Sequence, residues 1–340
     1  MSYRSYLAKR SLQGIPVIIG LSVLVFFISR ILPGDPVRLA LGPQATEEQI
    51  EFYRSDMGLD YPIYEQYFIW VANAVQGEWG TSLRTSNDVF ADIATRFPAT
   101  FELVTVAMLF ALVFAIPLGT IAAMYKDKLP DHLSRIGAII GLSMPRFWVA
   151  ILFQVIFFVF LGLFPLSGRL SFGVDRPNRI TGMYLVDSLL QLEFHVFLDA
   201  LWHITLPAVA LGLATMAQIM RLLRSDLIEE HRKDYVIAAK AYGLPTNMII
   251  LKYMLRNAFT SSLTILGLAF GFLLGNAFLI EFVFSWPGMA EYGVQSIVYQ
   301  DFNAIVGVVI VIGLGFVIVN LLVDLLYGYL DPRVRLKHNE

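Results

Sequence analysis

Residues 234–258 read DYVIAAKAYGLPTNMIILKYMLRNA, and the fold of the whole chain turns on how this stretch is read. It begins with Asp234, whose side-chain oxygen can accept a free backbone N–H and cap a helix. Tyr235–Tyr242 follows, with small side chains at Ala238, Ala239 and Ala241. Gly243 suits a left-handed stop, and Pro245, one residue beyond Leu244, prevents continuation. The pattern predicts a helix of about two turns with a shallow surface. A second amphipathic helix, capped by Thr246 or Asn247, runs on through Leu255. The stretch belongs to a polar island, Arg221–Ala258, set between apolar segments. A plain connector does not need this order, which suits a part that docks into something else.

The surroundings are those of a membrane protein. The 340 residues are 57% hydrophobic and 15% charged, with a mean hydropathy of +0.65. Soluble domains carry about 45–50% apolar and about 25% charged residues, so both departures point to a bilayer. The net charge of −2 says nothing about nucleic acid, and no basic block is long enough to suggest it, so no nucleic-acid partner is expected. With no cysteine there is no disulfide and no thiolate metal site.

Outward from the island, apolar segments recur. Ser11–Ser29 carries no charge and roughly matches a ~30 Å hydrocarbon core at ~1.5 Å per residue. A cleaved signal peptide would have an apolar core of about 7–15 residues and an A-x-A-like site. The longer run here, ending in Arg30, predicts a retained first span. Five more are expected at Phe101–Met124, Ile136–Leu163, Leu201–Met220, Phe259–Phe282 and Asn303–Tyr327. Pro145 should kink or break the third. Gly267, Gly271 and Gly275 lie four apart on the fifth, where small residues allow close helix packing. The chain then divides into 1–36 (tail and first span), 37–100 (an extramembrane helical cap) and 101–340 (a five-span core containing 221–258). The cap holds amphipathic pieces near Glu47–Met57, Pro62–Val75 and Asp88–Arg96, with an aromatic cluster at Tyr64, Tyr67, Phe68 and Trp70. The fold class is all-α, a six-span polytopic membrane protein.

Lysine and arginine set the orientation. They gather in the N-terminal tail, at Lys126, Lys128 and Arg135, in the island, and at Arg333, Arg335 and Lys337. Both termini and the island are therefore expected in the cytoplasm. A helix lying on lipid headgroups is one reading of the island. Alanines bury little apolar area, however, and an interfacial helix usually shows bulky residues on its buried face, which favours docking to protein.

At this point the residues carry a resemblance. Ala238-Ala239-x-x-x-Gly243 is similar to the coupling-loop signature of ABC importer permeases. Many members begin that signature with glutamate, whereas this chain has Ile237. Further stretches resemble the B-type permease subunit of dipeptide, oligopeptide and nickel importers: LPGDP (32–36), RFPATFEL (96–103), SMP (143–145), LRNA (255–258), EFVFSWPG (281–288), NLLVDLLY (320–327) and DPR (331–333). The resemblance implies a type I ABC importer permease fold. It implies a second related permease, two cytoplasmic ATPases that hold ATP and Mg and receive the coupling helices, and an extracytoplasmic solute-binding protein. Asp234, Ala238, Ala239, Gly243, Leu244 and Pro245 are then the coupling residues. The chain lacks a G-x-x-x-x-G-K-[ST] phosphate loop and is expected to hold no cofactor of its own. The solute implied is a di- or oligopeptide, with oligosaccharide or nickel as alternatives.

No HExxH, GxSxG or metal-spaced histidine cluster occurs, so the chain is expected not to be an enzyme. Arg146 is placed about 16 Å along a helix from Arg135. There it either lines the pathway and meets an acidic or carboxylate group of the solute, or pairs with carbonyls freed by Pro145, or lies nearer the surface than that distance implies. Glu281 is a second pathway candidate, with a structural hydrogen-bonding role favoured for it and for Asp324. Trp286 is expected to anchor the membrane interface. A reading of another class is a non-transporting scaffold or receptor that uses cap and island as docking surfaces.

Overall fold

The computed structural model describes residues 3–31, 37, 45–56 and 58–330. The LPGDP motif and the DPR tail lie outside the described residues, as does the side chain of Asp324. Among the described residues the fold is helical, with a single isolated bridge between Thr81 and Asp88. The helices are α1 (Tyr3–Ile31), α2 (Glu47–Asp56), α3 (Ile63–Val75), α4 (Val89–Met124), α5 (Leu129–Ser143) and α6 (Arg146–Phe153). They continue with α7 (Tyr184–Leu190), α8 (Phe194–Glu230), α9 (Asp234–Ala241), α10 (Thr246–Met248), α11 (Leu255–Val283), α12 (Met289–Val298) and α13 (Phe302–Leu330).

Among the described residues four helices are long and apolar enough to cross a membrane, namely α4, α8, the Leu266–Val283 part of α11, and the Phe302–Val323 part of α13. A fifth is formed if α5 and the α6 segment count as one broken span, and α1 adds the shorter apolar run Leu12–Ile28. The break falls at Pro145. The ring restricts Met144 to extended backbone (φ −82°, ψ 130°) and removes a helical N–H. The two halves meet at 105°, a full elbow rather than a kink. Past α6 the chain widens into a π-helical stretch, Gln154–Phe160.

The centre of the molecule is the contact between α4 and α8. Ala107, Ala111, Ala115 and Gly119 repeat every fourth residue on one face of α4, all buried. Gly212 of α8 sits on that stripe so closely that a Cβ there would lie 2.5 Å from the Ala107 carbonyl oxygen. Gly119 answers from α4, where a Cβ would lie 2.9 Å from the Met220 carbonyl oxygen. Small residues bring the backbones together and dispersion contacts hold them, since lipid gives no hydrophobic drive between helices. Gly267 and Gly271 do the same for α11 against Val323 and Phe316 of α13, while Gly275 meets nothing within 4 Å. The Arg224 guanidinium forks onto the buried Asp131 carboxylate (2.8 Å to Oδ2) and ties α8 to the start of α5.

Two of the expected amphipathic pieces are helices α2 and α3. The third forms the first turns of α4, because Asp88 caps that helix by accepting the Ala91 N–H at 2.9 Å and the backbone then runs on past Pro98. The aromatic cluster splits by face. Tyr67 and Trp70 pack on Phe26 of α1, with Tyr67 Oη 2.9 Å from Ser22 Oγ, whereas Tyr64 and Phe68 are exposed. On the far side of the elbow, Arg169 forms a buried 2.6 Å ion pair with Glu102 and stacks 3.5 Å from the Tyr184 ring centroid. That contact fastens the 161–183 connection to α4.

Trp286 departs from expectation. It is one of the most enclosed side chains, and its indole N–H donates to the Ala99 carbonyl oxygen at 2.9 Å. A tryptophan whose N–H is satisfied inside gains more from burial than from an interfacial position.

Candidate functional site

The loop between α8 and α11 is built on a latch. The chain leaves α8 at Glu230, turns through His231–Lys233 and enters α9. Glu230 is buried, and it accepts hydrogen bonds from Lys233 Nζ and, at 2.5 Å, from Tyr235 Oη. The Glu230 carboxylate holds the Lys233 ammonium above its ordinary range. Burial, and then Glu230, push the Tyr235 phenol up to about 12. Beside the latch, Lys240 Nζ donates to His231 Nε2 at 3.1 Å. Burial and the Lys240 charge hold that imidazole below its usual range.

Lys233, not Asp234, occupies the N-cap position of α9, and no side chain caps it. Asp234 stands in the first turn, where a carboxylate still favours the positive end of the helix dipole. Behind α9, Val236 is fully buried in an apolar cluster with Ala123, Leu223, Leu227, Ile249, Met254 and Ala258. In front, Asp234, Ala238 and Ala241 are exposed, with Ile237 at 59% and Tyr242 at 86%. Ala239 and Leu244 are half-buried against the same cluster. Gly243 ends the helix at φ +74°, its N–H donating to the Lys240 carbonyl at 2.9 Å, and the Leu244 N–H donates to Ala239 at 3.1 Å. Val236 and the latch therefore fix a helix whose outer face carries Ala238 and Ala241 beside the exposed Ile237 and Tyr242.

Beyond Gly243 the expected second helix is not separate. Pro245 fills the N-cap position of α10, and neither Thr246 nor Asn247 caps it. The chain passes through a π-helical turn, Ile249–Met254, straight into α11. The island thus ends as the root of a membrane helix, joined to α9 through the non-helical residues 242–245.

The intramembrane candidates part company. The Pro145 elbow ends the straight ruler from Arg135, and Arg146 opens α6 instead. It borders a cavity of about 270 Å³ together with Thr215 and Gln218 of α8 and Leu268, Ala269, Phe272 and Asn276 of α11. The Arg146 Nη1 is buried without a hydrogen-bond partner, so the carbonyls at the Pro145 break do not receive it. Glu281 is fully enclosed and does not reach this cavity. It accepts from Thr100 Oγ1 at 2.5 Å and from the Glu291 N–H at 2.8 Å, so it caps α12 from the end of α11. A Cβ at Gly288 would collide with its carboxylate, which accounts for that glycine. Sequence reading missed Glu230, Val236, Gln218 and Asn276. The Tyr235 arm of the latch reaches back five residues across a turn, which is not a helical spacing, and a lone amide on an apolar helix carries no periodic signal. Among the described residues no group of His, Asp or Glu side chains could hold a metal ion.

Comparison with known proteins shows which sequences this chain is similar to. A family model described as "Binding-protein-dependent transport system inner membrane component" matches residues 115–336, and the model of its N-terminal region matches residues 3–104. The chain is 42% identical over 334 residues to the probable D,D-dipeptide transport system permease protein DdpB of Escherichia coli K12, covering 98% of both chains. It is 39% identical to the di/tripeptide transport system permease protein DppB of Pseudomonas aeruginosa, covering 97% of this chain and 98% of the relative. To the glutathione transport system permease protein GsiC of Escherichia coli K12 it is 35% identical, covering 98% and 99%.

Proposed function

The chain belongs to the binding-protein-dependent transport system inner membrane components, and from that membership we propose that it moves di- or oligopeptides across the cytoplasmic membrane by alternating access. It is a transport subunit rather than a catalytic one. In this reading it has six spans with both termini in the cytoplasm and pairs with a second related permease. Two ATPases supply the energy from outside the chain, holding ATP and Mg, and an extracytoplasmic binding protein delivers the solute. The relatives named for dipeptides, di/tripeptides and glutathione support a short peptide as the solute.

The observation that carries the mechanism is α9. Its exposed face at Asp234, Ala238 and Gly243 suits a groove on an ATPase, while Val236 and the Glu230 latch bind its back to the helix ends. Closure of the ATPases would draw α9 inward, and the continuous α10–α11 path would pass that motion to the spans. Arg146 keeps the pathway role in this proposal, whereas the enclosure of Glu281 favours a structural one.

The test is uptake of a labelled dipeptide by vesicles containing the complete transporter with ATP on the ATPase side. Gly243→Asp should leave the protein in the membrane and the ATPases active. It should lower both uptake and the stimulation of hydrolysis by loaded binding protein by about tenfold or more, equivalent to about 1.4 kcal/mol of coupling. Normal coupling in that variant refutes the docking role. Purification of the chain with no ATPase attached would favour the scaffold reading, and uptake of oligosaccharide or nickel in place of peptide would change the solute.

A further inference from the structure

We propose that the cavity at Arg146 is a station for the free carboxylate of the transported peptide, with Asn276 receiving an N–H of the same terminal residue. This deepens the reading of the chain as a peptide permease and rests on it.

The first observation is depth. Asn276 lies seven residues before the end of α11 at Val283, and Leu268 thirteen residues after its start at Leu255. At ~1.5 Å per residue the cavity is about 10 Å from one end of that helix and about 20 Å from the other. It therefore opens inside the hydrocarbon layer, where an arginine faces a water-filled cavity or a partner rather than lipid.

The second is charge. Among the described residues Arg146 makes no hydrogen bond or ion pair, and none with an acidic side chain lines the cavity. A guanidinium presents a planar fork of donors matched to a carboxylate. Leaving it unpaired at this depth is costly, so an anion that visits the cavity gains strongly. The same charge repels nickel, and neutral sugars give it nothing to neutralise. Of the three solute classes compatible with the sequence, only a peptide brings a carboxylate at every passage.

The third is the company Arg146 keeps. Asn276 donates its Nδ2 to the Phe272 carbonyl at 2.7 Å, which fixes the amide and leaves its Oδ1 as an acceptor. Gln218 is exposed at the rim and can both donate and accept. Phe272, Leu268 and Ala269 supply an apolar wall. At about 270 Å³ the space falls below the range of about 300–1,000 Å³ of drug-sized pockets. It suits one terminal residue, not a whole peptide, so a carboxylate can be held while the rest of the chain varies.

The experiment uses the complete transporter in vesicles with labelled dialanine as solute. Arg146→Met should lower initial uptake about 10- to 100-fold, the loss expected for a charge-assisted hydrogen-bonded pair. The complex should stay assembled, and loaded binding protein should still stimulate ATP hydrolysis. Arg146→Lys should recover part of the uptake, because it keeps the charge but not the planar fork. Asn276→Leu should fall between the two. Unchanged uptake by Arg146→Met overturns the proposal while leaving the peptide-permease reading intact. So does loss of the second permease from the Arg146→Met complex, since the charge would then be pairing with a carboxylate of that subunit. A wild-type complex that imports no peptide overturns the underlying reading and the proposal with it.

Discussion

At residue 243 the backbone stands at φ +74°, in the left-handed region that a side chain disfavours by about 1–2 kcal/mol. Gly243→Ala should therefore raise amide exchange in α9 without dislodging α4 or α8, a difference readable by hydrogen exchange. The Glu230 latch makes a separate prediction about pH. Lys233 and Tyr235 both have folded pKa values above their ordinary ones, and the Tyr235 phenol moves from 10.0 to about 12. A raised value favours the protonated form in the fold. The latch is thus fully in place below about pH 10 and is lost as pH rises towards 12. Proteolytic sensitivity of the loop should be flat between neutral pH and about pH 9 and climb above pH 10. Tyr235→Phe should loosen the loop by about 1 kcal/mol already at neutral pH and flatten the alkaline rise. An unchanged alkaline profile in that variant would remove Tyr235 from the latch.

Among the elements, the α4–α8 contact has the least room to give. Gly212 faces the Ala107 carbonyl of the neighbouring helix, a rigid backbone atom rather than the tip of a side chain. Gly212→Val should cost about 1–3 kcal/mol through overpacking, seen as a lower thermal midpoint in detergent. Gly275→Ala makes a matched control, because a Cβ there meets nothing within 4 Å. Its midpoint should move by no more than the equivalent of about 0.5 kcal/mol. Equal effects of the two substitutions would mean that helix propensity, not close packing, sets the response.

For the whole molecule, the proposed orientation puts both ends and α9 on the cytoplasmic side, which labelling can check. The chain contains no cysteine, so any single cysteine introduced reports alone. Tyr242 beside α9 and Phe172 in the 161–183 connection are both highly exposed. In sealed, right-side-out vesicles, Phe172→Cys should react with an impermeant maleimide and Tyr242→Cys only after permeabilisation. The reverse pattern would invert the topology and remove α9 from reach of a cytoplasmic ATPase.

How much of this was legible from the residues follows from the range of each effect. Helical membrane character, the Pro145 break and the Gly243 stop depend on side chains and dihedrals within a few residues, so the sequence alone determined them. The ordered motifs likewise carried the family. Tertiary structure decided the rest. The residues alone make Trp286 an interface anchor and favour a structural hydrogen-bonding role for Glu281, but only the fold brings in Ala99 and Thr100, far away in the chain, as their partners. Arg146 lost its place on a straight helix because the elbow turned through 105°, and only then did Thr215, Gln218 and Asn276 gather around it. A buried polar group takes whatever partner the packing of distant helices brings to it, and no local pattern records that partner. Residues 234–258 show both kinds of control. Local chemistry set where α9 stops, and the fold around Val236 and Glu230 settled which of its faces is left free.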